Sequence, residues 1–144
     1  MSDTILVGID GSEASRRAVE YASTYTKMVN ARLVLAYIIE WSPYAFQTAE
    51  ENEKRHMRRE EEIQTAQERV LDPMLKSLAS EGVVVEGVVR HGQVADALLY
   101  IAKKQSANLI IVGRIGQKNI KTVIFGSVVS KLIQLSHLPV TVVP

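Results

Sequence analysis

Short apolar segments alternate along the chain with longer segments in which apolar residues recur every three or four positions. The short segments are rich in β-branched residues and end at turn-forming residues, which is typical of strands buried in a parallel sheet. We predict five strands, at residues 4–9, 32–39, 83–89, 109–112 and 140–143. The longer segments have the period of a helix with one buried face. We predict helical stripes through Ala14, Ala18, Ala22, Tyr25 and Val29, through Ile63, Ala66, Val70, Met74 and Leu78, through Val94, Ala97, Leu98 and Ile101, and along residues 126–135.

This alternation of strands and helices predicts an α/β fold. Successive strand-helix-strand units place the strands parallel with right-handed crossovers, so we expect a doubly wound sheet with helices on both faces. At 144 residues the chain has the length of one domain, and we expect residues 1–144 to form a single one. Asp72 and Pro73 interrupt the second helical stripe. Either this helix kinks there, or a new helix begins with Asp72 as its cap.

The segment after residue 40 departs from the alternating pattern. It contains Trp41, Pro43 and Tyr44 and then becomes densely charged over residues 50–62. We interpret it as a surface loop followed by a solvated helical face, because charge runs usually face water. The alternative is that Trp41 and Tyr44 form a lid over a ligand.

The overall composition is that of an ordinary globular protein. Apolar residues make up 47% of the chain, charged residues 23%, and the net charge is +1. This balance favours neither nucleic acid nor an anionic membrane surface as a partner. The chain has no cysteine, which excludes disulfides and thiol catalysis. Because the sequence shows neither a secretory signal nor an apolar run long enough to span a membrane, we expect a cytoplasmic protein without membrane insertion.

The glycines that follow the fourth predicted strand are the strongest candidates for a binding site. Gly113 and Gly116 lie just after that strand, and Gly126 and Ser127 open the last predicted helix, with Ser127 as the expected N-cap. Glycine permits backbone angles closed to other residues and lets a ligand approach main-chain N–H groups, while a helix N-terminus attracts anions. This pattern predicts a phosphate site. The alternative is that Gly113 and Gly116 are simple loop glycines. Lys118 and Lys121 lie nearby, and we expect their side chains to be solvated.

The spacing of these residues resembles a known motif. Gly113, Gly116, Gly126 and Ser127 form G-x2-G-x9-G-S, which resembles the nucleotide-binding motif in the ATP-binding branch of the universal stress protein family. The start VGIDGS at residues 7–12 and the ending GSVVSKLIQLSHLPVTVV are similar as well, so the resemblance covers essentially the whole chain. It implies a Rossmann-like sheet of order 3-2-1-4-5, of the adenine nucleotide alpha hydrolase-like kind. It also implies that ATP or AMP binds, with or without Mg²⁺.

The resemblance also implies which residues bind the nucleotide. Asp10 would accept hydrogen bonds from the ribose or help to hold Mg²⁺, and the main chain at Ile38 would read the base. For Arg114 a phosphate contact is inferred from its charge and proximity, and Val129 stands where family members often carry a hydroxyl. The residues expected at the site are Gly8, Ile9, Asp10, Ile38, Val112, Gly113, Arg114, Gly116, Gly126, Ser127 and Val128. The alternative for Asp10 is that it only caps the first helix or shapes its turn.

Motifs for common enzymatic chemistry are absent from the sequence. There is neither a G-x4-G-K-[ST] loop nor a G-x-G-x-x-G turn, and the three histidines lack the spacing of metal ligands. With no catalytic base evident, we predict a binding protein with little or no ATP hydrolysis, acting in stress response or signalling. The main alternative is an interaction module with an empty site that regulates a transporter, kinase or other partner. An enzyme acting on a nucleotide-linked substrate has only fold analogy in its favour.

The last predicted strand suggests self-association. In the expected strand order it lies at the sheet edge, and an apolar edge strand must be covered or paired. The resemblance implies that this edge pairs with its twin. We therefore expect a homodimer through the four residues of this strand, Val140, Thr141, Val142 and Val143.

Overall fold

The computed structural model describes residues 3–40, 49–114 and 126–144. It contains five strands, which are β1 (Thr4–Ile9), β2 (Arg32–Glu40), β3 (Val85–Gly92), β4 (Leu109–Gly113) and β5 (Val140–Val143). The helices are α1 (Glu13–Val29), α2 (Ala49–Ala66), α3 (Asp72–Ser80), α4 (Val94–Lys104) and α5 (Ser127–Leu135). None of the described helices has the length and apolar character that crossing a membrane requires.

The strands form one parallel sheet in the order β3-β2-β1-β4-β5, which confirms the predicted fold and strand order. The chain first builds β1, β2 and β3 outward on one side, then crosses back to place β4 and β5 on the other side of β1. The direction of strand addition therefore reverses between β1 and β4. In such a sheet, ligands bind beyond the carboxyl ends of the strands at this reversal.

Each face of the sheet carries its own apolar core. Leu6, Val34 and Ile110 pack under α4 and α5, and Ile5 and Leu35 pack under α1 and α3. Because side chains alternate along a strand, each buried strand supplies apolar residues to both layers. This explains why the central strands have nearly continuous apolar sequences.

The second helical stripe remains helical through Asp72 and Pro73. A π-helical turn, Gln67–Leu71, joins α2 to α3, and the Asp72 N–H donates to the Gln67 carbonyl five residues earlier. Asp72 has helical angles and is not a cap, so the alternative of a new helix capped by Asp72 is wrong. Pro73 has no N–H to donate, and the wider turn accommodates it directly before α3.

Strand β3 begins and ends later than the sequence predicted. It pairs with β2 from Val85 through Gly92, beyond the predicted end at residue 89. Arg90 and His91 are polar, but they lie on an edge strand where the ladder hydrogen bonds, and not apolar burial, decide where the strand ends.

Candidate functional site

A pocket of about 400 Å³ opens at the carboxyl ends of the strands beside the reversal between β1 and β4. This volume is in the range of small-molecule sites. The structure brings together ten of the eleven predicted site residues around it, namely Gly8, Ile9, Asp10, Ile38, Val112, Gly113, Arg114, Gly126, Ser127 and Val128. The eleventh, Gly116, lies outside the described residues, as do Lys118, Lys121, Trp41 and Tyr44.

The N-terminus of α5 forms one end of the pocket. Its N-cap is Gly126, with φ −55° and ψ 155°, and within the described part of the chain no side-chain hydrogen bond caps this end. Ser127 is the first helical residue, so its predicted N-cap role is wrong, because the extended backbone ends one residue earlier. The first main-chain N–H groups of a helix have no partner within the helix. Here they lie beside the pocket, where they favour an anion.

Open space at Gly126 and the side chain of Arg114 both favour an anionic ligand at this end of the pocket. A Cβ placed on Gly126 would have no described atom within 4 Å, and the backbone angles of Gly126 are open to any residue. Arg114 is exposed on the pocket wall, and its main-chain N–H donates to the Val143 carbonyl at 2.8 Å. Among the described residues, the Arg114 guanidinium has no hydrogen-bond or ion-pair partner. A positive charge and uncapped N–H groups therefore border the same open space.

Asp10 lies at the end of β1, on the pocket wall. Its Oδ1 accepts from the Ser12 N–H at 2.9 Å, and Ser12 itself caps α1 by accepting from the Ser15 N–H at 3.1 Å. Gly11 between them has φ 83°, which glycine adopts without strain. Asp10 therefore shapes the turn before α1, which agrees with the alternative that it has a structural role. The residue that caps α1 is Ser12 and not Asp10. The Oδ2 of Asp10 has no hydrogen bond within the described part of the chain.

The first turn of α1 carries an ion pair between Glu13 and Arg16, and neither residue lines the pocket. The guanidinium of Arg16 donates to the Glu13 carboxylate at 2.8 Å. This hydrogen bond and the charge of Arg16 lower the pKa of Glu13 below its usual value. Both side chains are exposed, so they leave the charge of the pocket largely unchanged.

Two glycines in the strands beside the pocket pack closely against helices. A Cβ on Gly113 would come within 2.7 Å of the Ala14 carbonyl carbon, so only glycine lets β4 approach α1 this closely. Its φ is not in the left-handed region, so the expectation that Gly113 supplies an unusual backbone angle is wrong. A Cβ on Gly8 would meet Leu98 of α4 at 3.0 Å. Gly113 therefore sets how closely β4 approaches α1, whereas a Cβ on Gly8 would require only that the Leu98 side chain shift slightly.

The opposite end of the pocket is apolar with an acidic rim. Ile38 near the end of β2 is buried, and Val94 and Leu98 of α4 line the same region. Glu40 ends β2 on the pocket rim. Ile9 has its side chain in the core under α1, so it borders the pocket chiefly through its main chain. Val129, at the position where the resemblance implies a hydroxyl in many family members, is buried on α5 and also borders the pocket.

Sequence reasoning missed part of this lining. Ser15, Tyr37, Glu40, Val94 and Leu98 also border the pocket. The two α4 residues are four positions apart and so face the same way, but this signal is the same for any core-facing helix. Only the packing of α4 beside the end of β2 identifies them as site residues.

The described residues contain no cluster of three or more His, Cys, Asp or Glu side chains that would hold a metal ion by themselves. Asp10 follows β1, which lies between the other two strands that line the pocket, β2 and β4. Mg²⁺ commonly binds through one or two carboxylates together with phosphates and water. Asp10 alone fits that kind of site, in which the ligand supplies most of the oxygens.

Comparisons with known proteins agree on one family. The model of the universal stress protein family matches residues 1–144. Universal stress protein MJ0531 of Methanocaldococcus jannaschii is 30% identical over 141 residues, which covers 96% of this chain and 80% of that protein. The chain also matches longer mycobacterial relatives, of which it spans 47%.

Solved structures show the same fold. Universal stress protein UspA from Lactobacillus plantarum superimposes with a TM-score of 0.85 at 21% identity, covering 99% of this chain and 97% of that one. A universal stress protein in complex with cAMP superimposes with a TM-score of 0.69 at 26% identity, covering 99% and 96%. The family match over the whole length and the shared sheet order lead to one conclusion: this chain belongs to the universal stress protein family.

Proposed function

We propose that this protein binds ATP or AMP in the pocket between β1 and β4, and acts as a homodimeric module in stress response or signalling. The observation that carries the proposal is the polarity of this pocket. One end has the uncapped N-terminus of α5 and Arg114, and the other has the buried side chain of Ile38. A nucleotide has the matching polarity, with charged phosphates at one end and a flat base at the other.

The middle of the pocket suits a ribose. Asp10 lies on the wall between the two ends, with Oδ1 engaged by the Ser12 N–H. Its Oδ2 is available to accept a hydrogen bond from a ribose hydroxyl, or to contact a hydrated Mg²⁺ on the phosphates. The complex of a related universal stress protein with cAMP supports a nucleotide as the ligand class.

We expect little or no hydrolysis of the bound nucleotide. The described pocket lining contains no histidine or lysine, and the carboxylate of Asp10 already accepts a hydrogen bond from the turn. A general base must reach the attacking water with a suitable pKa. The carboxylates of the described lining are Asp10, which the turn already engages, and Glu40, which lies at the end of β2 on the side proposed for the base. A rate of ATP turnover well above spontaneous hydrolysis, and lost in Asp10→Ala with the fold intact, would contradict this part of the proposal.

Calorimetry of the wild type and two variants of Gly126 tests nucleotide binding. Val at position 126 fits the backbone angles but projects a branched side chain into the space beside the α5 N-terminus. We expect Gly126→Val to weaken AMP and ATP binding at least tenfold, about 1.4 kcal/mol. Gly126→Ala adds a single methyl group at the same place and should have a smaller effect.

Thermal unfolding of each variant serves as the folding control for this experiment. If the wild type binds neither AMP nor ATP at millimolar concentration, the proposal is wrong. The protein would then be better described as an interaction module that regulates a transporter or another partner through its surface. If Gly126→Val binds as tightly as the wild type, the ligand does not lie against the α5 N-terminus.

The homodimer is proposed from the hydrogen bonding of β5. The carbonyls of Pro139 and Val143 accept from the N–H groups of Ile110 and Arg114. Because inward and outward groups alternate along a strand, the N–H and C=O groups of Val140 and Val142 point away from β4. They form an open edge of mainly apolar sequence, which a second copy of β5 can pair with in antiparallel fashion.

Sedimentation of the wild type and Val142→Pro tests this dimer. Proline at position 142 removes an outward N–H but none of the bonds to β4, so the variant should fold and lose affinity for its twin at least tenfold. We expect the wild type to sediment as a dimer at micromolar concentration. A monomeric wild type would contradict the homodimer and leave the nucleotide proposal standing.

A further inference from the structure

Exposed apolar side chains are concentrated on the two helices that flank β5. Eight large apolar side chains in the described part of the chain are exposed. Five of them lie on α1 and α5, namely Tyr21, Met28, Val29, Ile133 and Leu135. Exposed apolar residues scattered singly are normal, but a concentration beside an open strand edge indicates an interface.

One flank of α1 faces the β5 side of the molecule. On this flank the Arg17 Nε donates to the Pro144 carbonyl at the end of β5, at 2.9 Å. Lys27, on the other flank, pairs with Glu81 after α3 at 3.4 Å. Residues four apart on a helix lie on the same side. Tyr21 and Tyr25 therefore follow Arg17 along the β5 flank, and Met28 continues the same stripe.

The two tyrosines lie level with the middle of β5. Helix α1 runs antiparallel to the strands. Measured along the helix axis from Arg17, which contacts Pro144, Tyr21 lies about 6 Å away and Tyr25 about 12 Å away. Measured back along β5 in the same direction, Thr141 lies about 10 Å from Pro144. Thr141 lies between Val140 and Val142, whose N–H and C=O groups point outward. An antiparallel pairing of two β5 strands through those groups places its twofold axis near Thr141.

This twofold axis brings the α1 helices of two copies to the same face of the joined sheet. Helix α1 rests mainly on β1 and β4. Its axis is therefore about two strand spacings, or about 10 Å, from the twofold axis. A helix with average side chains has a radius of about 5 to 6 Å, which leaves about 4 Å to fill on each side. Long side chains are required to close that gap.

We propose that Tyr21, Tyr25 and Met28 of one copy contact the same residues of a second copy across the twofold axis. This inference rests on the proposed homodimer and extends it from strand pairing to a contact between the α1 helices. The rings of Tyr21 and Tyr25 stack on each other, with centroids 6.4 Å apart and planes at 9°. Tyr21 is still 46% exposed and Met28 76% exposed, so each has surface left for a partner.

The other face of the sheet offers a corresponding contact. On α5, Lys131 points toward α4, where it pairs with Asp96 at 3.0 Å. Ile133 lies about 160° around the helix from Lys131 in projection and so faces away from α4. It is 52% exposed. The same twofold axis would bring two Ile133 side chains toward each other, so apolar groups flank the paired strands on both faces.

Measurement of dimer affinity by analytical ultracentrifugation tests the inference with Tyr21→Glu. In the dimer, this change removes the aromatic contact and places two like charges near the twofold axis. We expect the dimer dissociation constant to rise at least tenfold. Met57→Glu is the matched control, because Met57 is 62% exposed on α2, at a distance from β5 in the sheet order. It introduces the same charge and should leave the dissociation constant unchanged.

A second readout uses the absence of cysteine from the chain. Tyr21→Cys should give a covalent dimer with a short bis-maleimide reagent, and Met57→Cys should not. An unchanged dissociation constant for Tyr21→Glu, or equal crosslinking of the two cysteine variants, would overturn the inference while leaving the strand-paired dimer intact. A wild-type protein that is monomeric would overturn both. A dimer that is lost in Tyr21→Glu but unaffected by Val142→Pro would overturn the placement of the twofold axis.

Discussion

Gly113 and Gly126 belong to one sequence motif but are glycine for different physical reasons. Gly113 has no room for a Cβ, because the Ala14 carbonyl carbon would lie 2.7 Å from it. No described atom lies within 4 Å of a Cβ placed on Gly126, and the backbone angles of Gly126 suit any residue. The first glycine is therefore explained by packing within the fold. The second has no such packing reason among the described residues, and the nucleotide proposal accounts for it by the approach of a ligand to the helix N-terminus.

Alanine substitutions at these two positions should separate packing from binding. We expect Gly113→Ala to lower the free energy of unfolding by about 1 to 3 kcal/mol, because the added methyl group would overpack the contact between β4 and α1. Gly126→Ala should cost at most about 1 kcal/mol, the difference between glycine and alanine at an N-cap. Urea unfolding of both variants provides the measurement. Equal losses of stability would contradict the separation of roles.

Serine residues near the starts of two helices show how capping depends on the path of the chain. The Ser12 Oγ accepts from the Ser15 N–H and caps α1, while Ser127 is already inside α5 and Gly126 holds the cap position. Both serines precede an apolar-periodic segment, so local sequence does not distinguish them. The extended or helical angles of the residue decide which one can cap.

This difference predicts unequal effects of removing the two hydroxyls. Ser12→Ala should lower the free energy of unfolding by about 1 kcal/mol, because the Ser15 N–H loses its acceptor. Ser127→Ala should change stability by well under that amount. Its effect, if the nucleotide proposal holds, should appear in ligand affinity. Thermal unfolding without ligand compares the two variants, and a larger loss for Ser127→Ala would contradict the observed cap position.

At the scale of the whole molecule, the reversal of strand order creates both the pocket and the open edge. The reversal places the ends of β1 and β4 side by side, where Asp10 and Arg114 line one cavity although they are 104 positions apart in sequence. It also leaves β5 with no neighbour on one side among the described strands. The proposed nucleotide site and the proposed dimer contact are thus separate consequences of one topology, and each can be tested without the other.

The sequence by itself determined the five strands, their alternation with helices and the α/β class. The reason is that burial imposes a period of two or 3.6 residues within each element, and that period can be read in a short window. Resemblance of the glycine motif to a known family added the strand order and ten residues that the structure places around one pocket. Only the tertiary structure decided that Gly113 is needed for packing, that β3 continues through Arg90 and His91, and that Val94 and Leu98 line the site. Each of these depends on a contact between segments distant in sequence, which no local pattern records.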